Sequence, residues 1–124
     1  MRCNDNYTLP QISFVAGQSK TLAFNLWTIS KHRYNASDCT GNFAIVNYSD
    51  KTSTPLVSKS MTFEVGEDED IYSVATVELE SSDTLDLYGK YIYQLTIKDI
   101  DGNAEIPNQG IFLITNNINK SFLR

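Results

Sequence analysis

The chain has 124 residues, of which 41% are hydrophobic and 20% charged, and it carries a formal net charge of −5. That length suits one domain with a true core and is too short for two, and the composition excludes a disordered polymer. An excess of carboxylates repels phosphate, which argues against a nucleic-acid partner, and no apolar run approaches the ~20 residues that cross a bilayer, which argues against a membrane.

Residues 1–10 hold Asn4, Asp5, Asn6 and Pro10, which resist regular structure, and are expected to form a flexible N-terminal arm. They lack the apolar centre of a secretion signal, so synthesis in a cytoplasm is expected. A first strand is expected over Ile12–Ala16, ended by Gly17. Thr21–Thr28 follows, with Leu22, Phe24 and Leu26 on one face and Trp27 on the other. A tryptophan on a polar side is either an edge residue under a loop or an anchor in an interface, where Trp is enriched. Residues 30–40 are polar and read as a loop carrying His32 and Tyr34. Asn42–Tyr48 is a third strand, apolar on both faces as a central strand would be.

Leu56–Val65 is the fourth strand, with Met61, Phe63 and Val65 alternating against Thr62 and Glu64. The acidic run Glu67–Asp70 connects it to a fifth, Ile71–Glu80, in which Ile71, Ser73, Ala75, Val77 and Leu79 share a face. Ser82 and Asp83 then suit the start of a single helical turn, with Leu85 or Leu87 plugging the open end of the core. In the sixth strand Tyr91, Tyr93, Leu95 and Ile97 fall on one side, opposite Lys90, Gln94, Thr96 and Lys98. That period-2 alternation marks a half-buried strand. Asp101-Gly102 supplies a hairpin turn, because Gly accepts the positive φ that tight connections need, and Ile111–Ile114 returns as strand seven. Residues 118–124 trail off as a polar C-terminal tail.

Seven strands without a long helical pattern predict an all-β domain over residues 11–117. The expected architecture is a seven-stranded antiparallel Ig-like β-sandwich, with a small closed barrel as the alternative. Tyr91 is placed to act as a tyrosine corner, its hydroxyl bonding a carbonyl a few residues upstream.

Chemistry is scarce in this pattern. Cys3 and Cys39 are the two cysteines and His32 the single histidine. Free thiols are expected, and these residues fall short of a zinc ligand set. His32 between Lys31 and Arg33 is a poor general base, no Gly-x-Ser-x-Gly elbow or phosphate-cradling loop occurs, and no catalytic residue is assigned. The acids from Glu64 to Asp70, and Asp99-Ile100-Asp101-Gly102-Asn103, read as solvated turns rather than calcium loops, so no metal or cofactor is expected. With seven tyrosines in the chain, exposed rings stacking on a sugar remain an alternative.

Several stretches carry a resemblance: Phe14-Val-Ala-Gly-Gln-Ser, Leu22-Ala-Phe-Asn-Leu, Gly89-Lys-Tyr-Ile-Tyr-Gln-Leu-Thr-Ile-Lys-Asp-Ile-Asp-Gly and Gln109-Gly-Ile-Phe-Leu-Ile-Thr. Together they resemble the N-terminal Ig-like domain of phage baseplate upper proteins, found in siphophage and prophage tails, over about residues 12–117. The resemblance implies a non-enzymatic structural or adaptor protein of the virion tail, docked to other baseplate proteins and oligomeric. It marks no contact residues. From their residue type, Trp27, Tyr34 and Tyr48 are the candidates for an interface. The alternative is a carbohydrate-binding or adhesin-like Ig module.

Overall fold

A computed structural model describes residues 10–26, 36–49, 54–66 and 72–123. All seven expected strands are present: β1 (Gln11–Val15), β2 (Lys20–Asn25), β3 (Thr40–Asn47), β4 (Val57–Glu64), β5 (Val74–Leu79), β6 (Gly89–Lys98) and β7 (Ala104–Thr115). Two short helices join them, α1 (Ser81–Thr84) and α2 (Lys120–Leu123).

The strands form a curled sheet in the order β1-β7-β6-β3-β4-β5-β2. β4 bends the sheet. Its first half, from Val57 to Met61, pairs with β3, and its second half, from Thr62 to Glu64, pairs with β5. The result is a larger layer, β1-β7-β6-β3-β4, facing a smaller one, β4-β5-β2, across the core. Among the described residues the two ends of the order, β1 and β2, are not hydrogen-bonded to each other, so the barrel alternative is half realised. The expectation of a purely antiparallel sheet is corrected: β1 runs parallel to β7, Gln11 opposite Ile111 and Val15 opposite Thr115. Alternation fixes which face a side chain takes; it says nothing about the direction of a neighbour.

Inward-facing residues meet as the pattern requires. Phe24 of β2 lies 5.8 Å from Tyr93 of β6 and 6.0 Å from Phe43 of β3, centroid to centroid, and Phe112 of β7 packs edge-on against Phe43 at 6.2 Å. Tilted and edge contacts of this kind add to the burial of large rings. Tyr93 also explains the glycine of the Gly-x-Phe-x-Ile stretch. Gly110 stands opposite it, and a Cβ there would lie 2.5 Å from the Pro10 carbonyl oxygen and 2.7 Å from the Tyr93 ring. Nothing larger than hydrogen fits.

Tyr91 forms the corner its position suggests. Its hydroxyl donates to the Tyr88 carbonyl at 3.1 Å and accepts the Tyr88 N–H at 3.0 Å. α1 closes this end of the core: Thr84 is buried and its Oγ1 accepts the Gly17 N–H at 2.9 Å, while Leu85 is buried and Leu87 partly so. The cap of α1 differs from expectation in part. Glu80 is the N-cap residue, and Asp83 reaches back to accept the Glu80 N–H at 2.7 Å; Ser82 takes no part in the cap.

Three further details depart from the sequence reading. Pro10 belongs to the sheet, its carbonyl accepting the Ile111 N–H at 2.8 Å. Strand seven begins before Pro107: two steps along β6, from Leu95 to Ile97, match three along β7, from Asn108 back to Glu105. That bulge around residues 106–107 is where a strand tolerates proline, since one residue is left out of the ladder. The C-terminal residues do not simply trail off. The Asn117 side chain donates to the Ala16 carbonyl at 2.8 Å, and Leu123 of α2 lies against the Gly17 turn.

Candidate docking surface

β6 lies in the middle of the larger layer, paired with β3 on one side and β7 on the other. Its inward side chains fill the core, so its outward ones define the middle of the molecule's broadest face. There Ile92 stands opposite Val46 of β3 and Ile111 of β7. It is only 6% exposed, yet it is separate from the core cluster. An apolar residue shaded on the outside of a sheet is shaded by its neighbours: Val46, Ile111 and Leu113 are each partly buried around it.

The next row along adds Tyr48, which is 37% exposed, with the Lys90 ammonium 4.5 Å from its ring centroid. That distance suits a cation–π contact. On the other side of Ile92 a pair of amides closes the patch: the Gln109 side chain donates to Gln94 at 2.7 Å, and Gln94 donates to Thr96 at 3.0 Å. β1, β3 and β6 contain no Asp or Glu, and the acid in β7, Glu105, lies at its far end beyond the bulge. On a chain of net charge −5, the described strand residues around Ile92 thus include no carboxylate, and Lys90 puts a cation beside the apolar centre.

The outer side of the smaller layer is built differently. Thr76 is flanked by Ala23 and Thr62, and the hydroxyls of Thr62 and Thr76 are 2.6 Å apart. Beside them is a shallow depression of about 440 Å³ whose wall includes Thr21, Lys59, Glu78 and Glu80. The Lys59 ammonium sits 2.9 Å from Asp83 and 3.9 Å from Glu80. Its hydrogen bond to Asp83, ahead of the attraction of the nearby carboxylates, holds the lysine pKa above its ordinary value. A cation already matched in this way is not poised for proton transfer.

Asp99, first residue of the stretch that resembles a calcium loop, spends its carboxylate on its own turn. Oδ1 accepts the N–H groups of Asn103 and Asp101, each at 2.9 Å, and the Asn103 bond leads in lowering its pKa. The Gly102 N–H donates to the Asp99 carbonyl at 3.0 Å and Gly102 has φ +88°, giving a three-residue hairpin loop with glycine in the left-handed position. Among the described residues no group of three or more His, Cys, Asp or Glu is arranged to hold a metal ion.

Of the three candidate interface residues, Tyr48 lies on the broad face, while Trp27 and Tyr34 lie outside the described residues, as do His32, Cys3 and the run Glu67–Asp70. The Cys39 thiol donates to the Ser37 carbonyl at 3.6 Å. Tyr91 and Tyr93 are buried, and the Tyr93 hydroxyl donates to Asn108 at 3.1 Å, so neither ring is available to stack on a sugar. Sequence reasoning missed Ile92, Val46, Ile111 and Leu113. The signal was an isoleucine on the otherwise polar side of strand six, in a chain whose third strand is apolar on both faces.

No protein-family model and no curated protein matches the chain. Among solved structures, one described as "Structure-based site-directed photo-crosslinking analyses of multimeric cell-adhesive interactions of VGSC beta subunits" is similar to it. The TM-score is 0.40 and the identity 12%, over 94% of this chain and 98% of that chain. A likeness that slight carries no functional conclusion. No described helix is long and apolar enough to cross a membrane.

Proposed function

We propose that this chain is a non-enzymatic structural or adaptor module, an Ig-like β-sandwich that docks to other proteins of a phage or prophage tail baseplate. The observation that carries the docking part is the outer face around Ile92: apolar at its centre, edged by Tyr48, Lys90 and paired amides, with no carboxylate among the described strand residues around Ile92. Such a face resembles the centre of a protein interface, which is depleted in charge and enriched in aromatic and apolar groups. The virion setting is supported by the resemblance of the Gly89–Gly102 and Gln109–Thr115 stretches to baseplate domains. Those stretches here provide β6, its hairpin and β7, the strands that build the face.

The docking face excludes water through shape and apolar area rather than through any reacting group. Tyr48 is the anchor candidate, because its ring is half-exposed and already positioned by Lys90. The test is tail composition. Particles purified from a producing culture should contain the chain, an antibody against it should label the tail end, and Tyr48→Ala with Ile92→Ser should reduce its incorporation. A chain absent from the particles would contradict the virion role. Binding on a glycan array that is lost with Tyr48→Ala would favour the carbohydrate-binding alternative instead.

A further inference from the structure

The β6–β7 hairpin runs past the strands beside it. β3 pairs with β6 only as far as Lys98, and β1 joins β7 at Ile111, so no described strand flanks residues 99–106. The loop is nevertheless ordered by its own bonds, those of Asp99 to Asp101, Gly102 and Asn103. On this stiff projection stand two isoleucines in water, Ile100 at 82% exposure and Ile106 at 56%, with Asp101 and Glu105, both exposed, beside them. The tip is thus an apolar knob with an acidic border. The face around Ile92 is its complement: an apolar patch with a lysine at its border and no carboxylate among its described strand residues.

We propose that copies of this chain associate head to tail, the hairpin tip of one seating Ile100 and Ile106 over Val46, Ile92 and Ile111 of the next. This places Asp101 and Glu105 near Lys90 of that neighbour. The inference rests on the reading of the broad face as a docking surface, and it names the occupant. Two-fold pairing fits less well. Face against face would leave both Lys90 ammonium groups without an acid, and tip against tip would set carboxylates against each other. A heterologous contact satisfies both surfaces, and it closes into a ring when the rotation per copy divides a full turn.

Light scattering of the purified chain over a concentration series tests this. The wild type should form oligomers that weaken as salt is raised, because the charged border adds to the apolar contact. Lys90→Glu and the double variant Asp101→Lys/Glu105→Lys should each weaken association roughly tenfold. All three positions are at the surface, and unchanged melting temperatures would establish that the variants fold. Mixed together, the two variants should co-assemble in alternation as the wild type does, since the acidic tip of one meets the lysine-bordered face of the other and the reversed tip meets the reversed face. Combining all three reversals in one chain should restore association. A wild type that stays monomeric throughout, or variants that associate as the wild type does, would overturn the proposal. If that monomer is still found in tail particles, only the head-to-tail contact fails; if an oligomeric wild type is missing from particles, only the virion reading fails.

Discussion

β6 and β5 each run through the middle of a block of paired strands, and on their core-facing sides they are alike: Tyr91, Tyr93, Leu95 and Ile97 in one, Ala75, Val77 and Leu79 in the other, all buried. They differ on the side turned away from the core. Each shades one residue there, Ile92 on β6 and Thr76 on β5, the second only 8% exposed. Ile92 is shaded by aliphatic neighbours, whereas Thr76 is shaded by a hydroxyl partner, with Glu78 two residues on. A face finished with hydroxyls and carboxylates can keep its water. A face finished with aliphatic groups gains by losing it. The contrast supports the proposal that docking belongs to the larger layer and leaves the smaller one to solvent.

That comparison can be broken at several depths. The largest effect belongs to the inner side of the larger layer: Gly110→Val, whose branched side chain has no space beside Tyr93 and Pro10, should lower unfolding free energy by about 3 kcal/mol or more in a urea titration. On the outer side, Ile92→Ala should cost about 2 kcal/mol, the low end for deleting a shaded aliphatic side chain. A loss near zero would mean that the patch is not packed. Tyr91→Phe should cost about 1.5 kcal/mol, since its hydroxyl both donates to and accepts from the Tyr88 backbone. A variant melting like the parent would remove the corner from the account. On the opposite face Thr76→Val should cost only about 1 kcal/mol, the net worth of one hydroxyl pair, and should leave association unchanged.

The smallest effect is that of Lys59. Its pKa is raised in the folded state, so its contribution is fully present below the unfolded value of about 10.4 and fades as pH rises through the higher folded value. Lys59→Met should therefore cost no more than about 1 kcal/mol at neutral pH, because water screens the pair. The difference from wild type should shrink in thermal melts above pH 10.5. A difference that grows there would reverse the assignment.

Much of this was legible in the chain. The alternation in β2, β5 and β6 gave the correct inward sets, Asp101-Gly102 turned the hairpin, and Leu85 closed the end of the core. What remained hidden has physical reasons. The parallel pairing of β1 with β7 is set by where chain ends meet in space, and no residue in Gln11–Val15 encodes it. The expected strand seven covered only Ile111–Ile114; the bulge around residues 106–107 lets it extend back past Pro107, which has no donor to offer a ladder. Ile92 is a single apolar residue on the otherwise polar side of strand six. Only the pairing of β6 with β3 and β7 puts Val46 and Ile111 beside it. The acidic border at the hairpin tip is plain in the sequence, but its complement emerges only from three strands lying side by side.

The most direct test is hydroxyl-radical footprinting of side chains as concentration is raised, read by mass spectrometry at Tyr48, Ile92, Ile111 and Leu113 on one face and at the threonines of β2, β4 and β5 on the other. Assembly through the larger layer predicts that labelling at Tyr48, Ile111 and Leu113 falls, together with that at Ile100 and Ile106, while Thr21 and Thr62 label as before. Protection confined to Thr21, Thr62 and their neighbours, with Tyr48 and Leu113 unchanged, would contradict it.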